Sequence, residues 1–333
     1  MAKKSGRRSE RPTDPRERAE SGRAVRSVVP RASLGDWTPA PDRDPLGVLS
    51  AQDKVRDQDL VPLRHSRMGV SPFTFYRGAA AVMAADLAPM PRTGLDVQLC
   101  GDAHLANFGV FASPDRAMVF DLNDFDETHP GPFEWDLRRL VASFEVAARD
   151  RSFDDPQRVQ IVADSVLSYV SAMRQYSTMS NLEVWYDRLT VDDIAQRWAA
   201  RASDDVLRRF RRNVDKARSK DRIRAFDKLV EVTDGTPRFR SDPPVLVPVR
   251  ELVTGAEHAA LMKAVDESLK LYRRTLAPDR RLLMDRYRFV DLARKVVGVG
   301  SVGTRCWVAL LIGNDETGPL FLQVKEANAS VLE

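Results

Sequence analysis

The sequence predicts an α+β protein in two lobes, a mainly helical one first and a β-rich one last. Apolar residues recur at helical spacing over residues 71–88, 135–148 and 159–179. Between 97 and 122 the pattern changes to three short runs, 97–100, 107–112 and 117–122. A Ser-Pro-Asp-Arg turn joins the last two into a hairpin. From 287 to 326 the order is strand, glycine-rich turn, strand and strand. A chain of 333 residues, 43% apolar and 30% charged, has room for two domains or one large two-lobed body with a substantial core.

The basicity sits in the first segment. Within residues 1–31 ten Lys and Arg face four Asp and Glu, a local charge of +6, which leaves the rest of the chain at −2 of the net +4. Such a tail can touch nucleic acid or acidic lipid, but this composition reads first as a solvated, disordered arm over 1–45. A helical stretch runs from there to about Arg67. One helix is expected over 71–88, with Ser71 as its cap and Pro72 in its first position. Residues 204–232 carry Leu207, Phe210, Val214 and Ala217 on one face and Arg and Lys elsewhere. Asp204, Asp205, Asp215, Asp221 and Asp227 are interleaved among them, so the face is a solvated one rather than a nucleic-acid surface. The stretch "SDPPVLVP" (241–248) reads as a linker and 256–275 as a helix. The helical lobe then spans 46–280, and 281–333 begins the β-rich lobe.

Some classes are excluded. No run of 18 apolar residues exists, so no transmembrane helix is expected. Residues 1–31 have no apolar stretch able to act as a secretory signal. Cys100 and Cys306 are too few for a disulfide framework, and buried thiols in a reducing cytoplasm are the expectation.

The densest chemistry lies between residues 102 and 136. Asp102, His104 and Asn107 share one short turn, and Asp121, Asp124 and Asp126 follow the hairpin. A hairpin brings its two ends together, so these groups face one another. Hard cations such as Mg²⁺ take oxygen ligands, which carboxylates and an amide supply. Turns alone account for one or two such residues, but less well for six flanking one hairpin. Asp102 and Asn107 also have the Asp-x-x-x-x-Asn spacing in which an aspartate accepts the proton of an attacking hydroxyl and an asparagine holds a metal.

The glycines of "KVVGVGSVGTRCWVALLIG", Gly298, Gly300 and Gly303, make a G-x-G-x-x-G pattern. A Rossmann loop would open a helix and place an acid some twenty residues on. Here a β-branched strand follows, and then Lys325 in "FLQVKEA". Strand, glycine loop, strand and lysine is the kinase arrangement, in which the loop covers phosphates and the lysine pairs with them. In ordinary kinases these parts precede the catalytic loop; here they follow it. A circularly permuted kinase fold accounts for that order. Because "EANASVLE" stops where a helix is about to start, the helix-borne glutamate partner of Lys325 and the adenine hinge are expected beyond Glu333.

The loop "CGDAHLANFG" resembles the "HGDxHxxN" of aminoglycoside- and choline-type phosphotransferases, with Cys100 where they carry His. "VFDLNDFDE" is similar to their "IDFDD" and "GPFEWDLRRL" to their "GxxxxDLARL". With "RMGVSPFTFYRG", "VGVGSVGTR" and "LFLQVKEA", these segments resemble the bacterial family known as domain of unknown function 2252, over roughly residues 46–333. The resemblance implies a kinase-like fold, ATP and Mg²⁺ as cofactors, and phosphoryl transfer to an unknown small-molecule or protein acceptor. It assigns Asp102 as base, Asn107 and Asp124 as metal ligands, and Gly298, Gly300, Gly303 and Lys325 to the phosphates. His104 would shape the loop and Asp136 would brace it. Asp121 is the alternative to Asp124, which the Asp-Phe-Asp match favours. Phe73, Phe75, Tyr76 and Arg77 read as an apolar helix face braced by one arginine, the alternative being substrate contact. A nucleotide-binding pseudokinase, a metal-dependent phosphoesterase built on Asp102, His104, Asp121 and Asp124, and AMP rather than phosphate transfer are the competing functions.

Overall fold

Asp14 caps helix α1 (Pro15–Val28), its carboxylate accepting the Arg16 N–H, with proline in the first turn. The computed structural model describes residues 14–199, 202–218, 222–313 and 318–333. Of the arm expected over 1–45, the first thirteen residues therefore lie outside the described residues, and the stretch from Pro15 to Val28 is helical. Helix α2 (Pro45–Asp53) is capped by Asp44, and α3 (Val61–Met68) follows.

Where one helix is expected over 71–88, there are two, α4 (Pro72–Gly78) and α5 (Ala80–Leu87), broken at Ala79. The start is as expected: Ser71 and Thr74 form a reciprocal capping box. The break has a cause in guanidinium chemistry. Arg139 Nη2 donates to the Tyr76 carbonyl at 2.7 Å and Arg64 Nη2 to the Gly78 carbonyl at 3.1 Å, so side chains occupy the carbonyls that end α4. Gly78 allows α3 to approach, since a Cβ there would lie 2.7 Å from the Met68 sulfur.

The chain then switches to short antiparallel pairs. β1 (Asp96–Leu99) pairs with β4 (His129–Pro132), and between them β2 (Phe108–Ala112) pairs with β3 (Met118–Leu122) as the expected hairpin. Helices α6 (Glu134–Asp150) and α7 (Asp155–Tyr176) pack against each other beyond it, followed by α8 (Asn181–Tyr186), α9 (Val191–Ala199), α10 (Asp204–Arg218) and α11 (Arg222–Leu229). The helix expected to reach Val232 gives way at Val230 to β5 (Val230–Thr233), which pairs with β6 (Thr236–Phe239). Asp234 and Gly235, with φ of 52° and 74°, make the tight turn.

The β-rich lobe is a four-stranded antiparallel sheet in the order β10-β9-β8-β7. Its strands are β7 (Leu246–Pro248), β8 (Arg288–Lys295), β9 (Cys306–Ile312) and β10 (Pro319–Lys325). The stretch read as a linker over 241–248 is thus in part an edge strand: Leu246 and Val247 are buried and pair with Lys295 and Arg294, and proline is tolerated where the edge ends. Between β7 and β8 lie α12 (Val249–Leu252), α13 (Gly255–Thr275) and α14 (Pro278–Met284). Strand alternation gives the sheet two apolar faces. Ala293, Val308, Leu310 and Ile312 pack with Phe239 and Val230, whereas Leu292, Ala309 and Leu311 pack with Val249 and Met284.

After β10 the chain returns to the first lobe. Ser330 Oγ donates to the Glu127 carbonyl at 2.8 Å, the Val331 N–H donates to the Glu127 carboxylate at 2.7 Å, and Leu332 packs on the Leu87, Leu99 and Trp135 cluster. The segment after β10 therefore packs beside Glu127, between β3 and β4.

Candidate functional site

Gly101 starts the site. Its φ is 86°, and a Cβ there would sit 1.9 Å from the Glu127 carbonyl oxygen, so only glycine lets the loop after β1 lie against the strand-β4 side of the hairpin. Asp136, in the first turn of α6, accepts the Cys100 N–H at 2.7 Å and the Gly101 N–H at 3.0 Å. Burial raises the Asp136 pKa, and the two N–H bonds oppose that rise. Burial, with the Asp136 charge second, pushes the Cys100 thiol up to about 12, so it stays protonated.

Asp102 lies at the turn itself. Its Oδ1 is 2.9 Å from Arg139 Nε, on a guanidinium only 4% exposed that stacks 4.0 Å over the Tyr76 ring. The Tyr76 hydroxyl in turn donates to the Arg139 carbonyl at 2.7 Å. His104 Nε2 is 3.7 Å from Asp102 Oδ2, and its Nδ1 is buried without a hydrogen-bond partner among the described residues. Burial lowers the His104 pKa to about 4, so the imidazole is neutral near pH 7.

Asn107 is buried and donates from Nδ2 to the Asp102 carbonyl at 2.9 Å. With its amide nitrogen committed, the amide oxygen is the atom left for a ligand. The Asn123 N–H donates to the Asn107 carbonyl at 3.1 Å, which places Asp124 just past Asn107 at the same end of the hairpin. Asp121, in β3 opposite Gly109, uses Oδ1 on the Leu122 N–H and has no ion pair among the described residues.

Lys325, at the end of β10, reaches this point from the four-stranded sheet. Its Nζ is 2.7 Å from Asp126 Oδ2 and 3.6 Å from Asp124 Oδ1. Burial works against the Lys325 charge, but the Asp126 hydrogen bond and the Asp124 and Asp126 charges outweigh it and raise its pKa. Burial, then Asp126, raises the Asp124 pKa. The lysine cation therefore offsets the repulsion of two adjacent carboxylates.

The glycine loop, between β8 and β9, is pinned by its carbonyls. Arg67 Nη1 donates to Gly298 at 2.8 Å, Arg56 Nη1 to Val302 at 2.6 Å, and the Asp57 N–H to Gly303 at 2.8 Å. A Cβ on Gly300 would lie 3.1 Å from the Arg77 carbonyl oxygen. Gly298 and Gly303, with φ of 69° and 88°, need the freedom of glycine. The loop so packs on the segment from α2 to α4, and Arg77 is the residue close to both this loop and His104.

Among the described residues no three His, Cys, Asp or Glu side chains come together to hold a metal. A Mg²⁺ held partly by substrate phosphates needs fewer protein ligands, commonly one or two carboxylates. The Asn107 amide oxygen and the Asp124 carboxylate fit that demand. Two residues carry more of the geometry than their motifs suggest. Asp126 is the nearest partner of Lys325, and Arg139, one helical turn after Asp136 in "DLRRL", fixes Asp102.

A family of bacterial proteins, described as "Uncharacterized protein conserved in bacteria (DUF2252)", matches residues 56–333. The chain belongs to that family. The match begins at Arg56, which holds the glycine loop, and includes each of the site residues from Asp102 to Lys325. No curated protein and no solved structure matches the chain. Among the described residues no helix is long and apolar enough to cross a membrane, and both cysteines are free and buried.

Proposed function

We propose that this member of the DUF2252 family is an ATP- and Mg²⁺-dependent phosphotransferase of kinase-like, circularly permuted architecture. The observation that carries the proposal is the seating of Lys325 against Asp124 and Asp126, from 199 residues away in sequence. A lysine and an aspartate at one point, beside a braced Asp-x-x-x-x-Asn loop, are the parts that phosphoryl transfer requires.

The roles follow from chemistry. Asp102, held by Arg139, accepts the proton of an acceptor hydroxyl. Asp136 fixes the backbone of that loop through two N–H bonds, and neutral His104 fills the turn. Lys325 donates to phosphate oxygens, and the loop of Gly298, Gly300 and Gly303 lies on the phosphate side. A cation held by Asn107 and Asp124 would supply positive charge at the phosphate oxygens. The two free thiols suit a reducing compartment, the cytoplasm, for this activity.

The test is transfer from γ-labelled ATP to water and to a panel of hydroxyl acceptors. Asp102→Asn keeps size and the bond to Arg139 but removes the proton acceptor. Turnover should fall by roughly 10²-fold with nucleotide affinity unchanged. Transfer left intact by Asp102→Asn would remove the assigned base. Wild-type binding without any transfer would indicate a nucleotide sensor, and phosphate release from esters without ATP, insensitive to Lys325→Ala, a phosphoesterase.

A further inference from the structure

Five arginines crowd the region between the catalytic and glycine loops, and four of them have partners. Arg56 donates to the Val302 carbonyl, Arg64 pairs with Asp53, Arg67 donates to the Gly298 carbonyl and Arg139 pairs with Asp102. The Arg77 side chain has no hydrogen bond or ion pair among the described residues, and its Nε is buried. Arg77 is only part-buried, so its terminal nitrogens reach solvent and are free to meet an anion, whereas the other four guanidinium groups are committed.

Its position is fixed by its neighbours. The end of α4 is held on one side by Arg139, through the Tyr76 carbonyl, and on the other by Arg64, through the Gly78 carbonyl. Gly300 lies against the Arg77 carbonyl, where a Cβ would sit a tight 3.1 Å from its oxygen. The Arg77 charge is near enough to His104 to oppose its protonation, after burial and alongside Arg139. At Arg56, burial and then the Arg64 charge lower the pKa to about 10, while Asp53, Glu127 and Glu326 act the other way.

We infer that Arg77 binds a phosphate group between the glycine loop and the catalytic loop, a role that rests on the phosphotransferase reading only for what carries that phosphate. A planar guanidinium suits two phosphate oxygens at once. The carrier is either the terminal phosphate of a nucleotide or a phosphorylated acceptor.

Calorimetric titration of the full chain with ATP, ADP, inorganic pyrophosphate and inorganic phosphate tests this. Arg77→Gln should weaken ATP or pyrophosphate by roughly tenfold or more, and Arg77→Lys by less. Loss confined to ATP and pyrophosphate, with ADP spared, assigns the terminal phosphate of a nucleotide. Loss confined to inorganic phosphate assigns the acceptor side. Wild-type ATP binding that ignores Arg77→Gln, with the other anions equally unaffected, overturns the site and leaves the phosphotransferase reading standing. Arg77-dependent pyrophosphate binding without any ATP binding does the reverse, and no anion bound at all overturns both. Thermal unfolding of the ligand-free protein gives a second readout. An anion-binding arginine leaves Arg77→Gln as stable as wild type or more so, whereas a fall of several degrees would mark Arg77 as a structural brace and overturn the inference.

Discussion

His104 and Asp124 show how burial sets charge at single residues. The folded protein holds the His104 pKa at about 4, against 6.5 for a free imidazole, because burial disfavours the cation. As pH falls from 6.5 towards 4, the unfolded chain takes up the proton first and stability is lost; above 6.5 that contribution is fully present. The loss amounts to roughly 3 kcal/mol at most. In denaturant titrations, His104→Gln should remove this part, so the wild-type minus variant difference should shrink across that window. A difference independent of pH would contradict the buried neutral imidazole. Asp124, whose pKa burial raises, lies at the Asn107 end of the hairpin beside Lys325, and by that position is expected to outrank Asp121 as a metal ligand. Asp124→Ala and Asn107→Ala should each weaken Mg²⁺-nucleotide binding by roughly tenfold or more, and Asp121→Ala by less. A fluorescent ATP analogue titrated with Mg²⁺ would read this, and wild-type affinity in all three would remove the assignment. Asp102, Asn107 and Asp136 are legible in the sequence because their spacing is local. Arg139 is not, since an arginine in a helix looks the same whether it faces solvent or a buried carboxylate, and Arg77 is legible only as the arginine of an apolar helix face.

At the scale of elements, the hairpin and the helices at 135–148 and 159–179 are legible from periodicity and turn chemistry. Three features escape it for physical reasons. The break at Ala79 depends on Arg64 and Arg139, which come from outside the helix they interrupt. Strand β7 lies in a proline-rich stretch and exists because Leu246 and Val247 find β8, some fifty residues on. The β5–β6 hairpin carries its signal, Asp234-Gly235, within a run that otherwise reads as helix. The element most exposed to a single change is the loop at Gly101. Gly101→Ala must place a Cβ 1.9 Å from a backbone oxygen at positive φ, and should cost roughly 3 kcal/mol or more in denaturant unfolding. Wild-type stability in that variant would mean that the loop does not need its close approach to Glu127.

For the whole molecule, the central claim is that two segments far apart in sequence make one nucleotide site. The sequence puts the lysine after the catalytic loop, and the structure seats it at Asp124 and Asp126 while Glu127 fastens the chain beyond β10. Calorimetric titration of MgATP into the wild-type chain and Lys325→Ala is the most direct measurement. Wild type is expected to bind only with Mg²⁺ present, and Lys325→Ala, still folded, to bind at least roughly tenfold more weakly. MgATP binding of equal affinity in both proteins, or none in the wild type, would contradict a nucleotide site at Lys325 and Asp124.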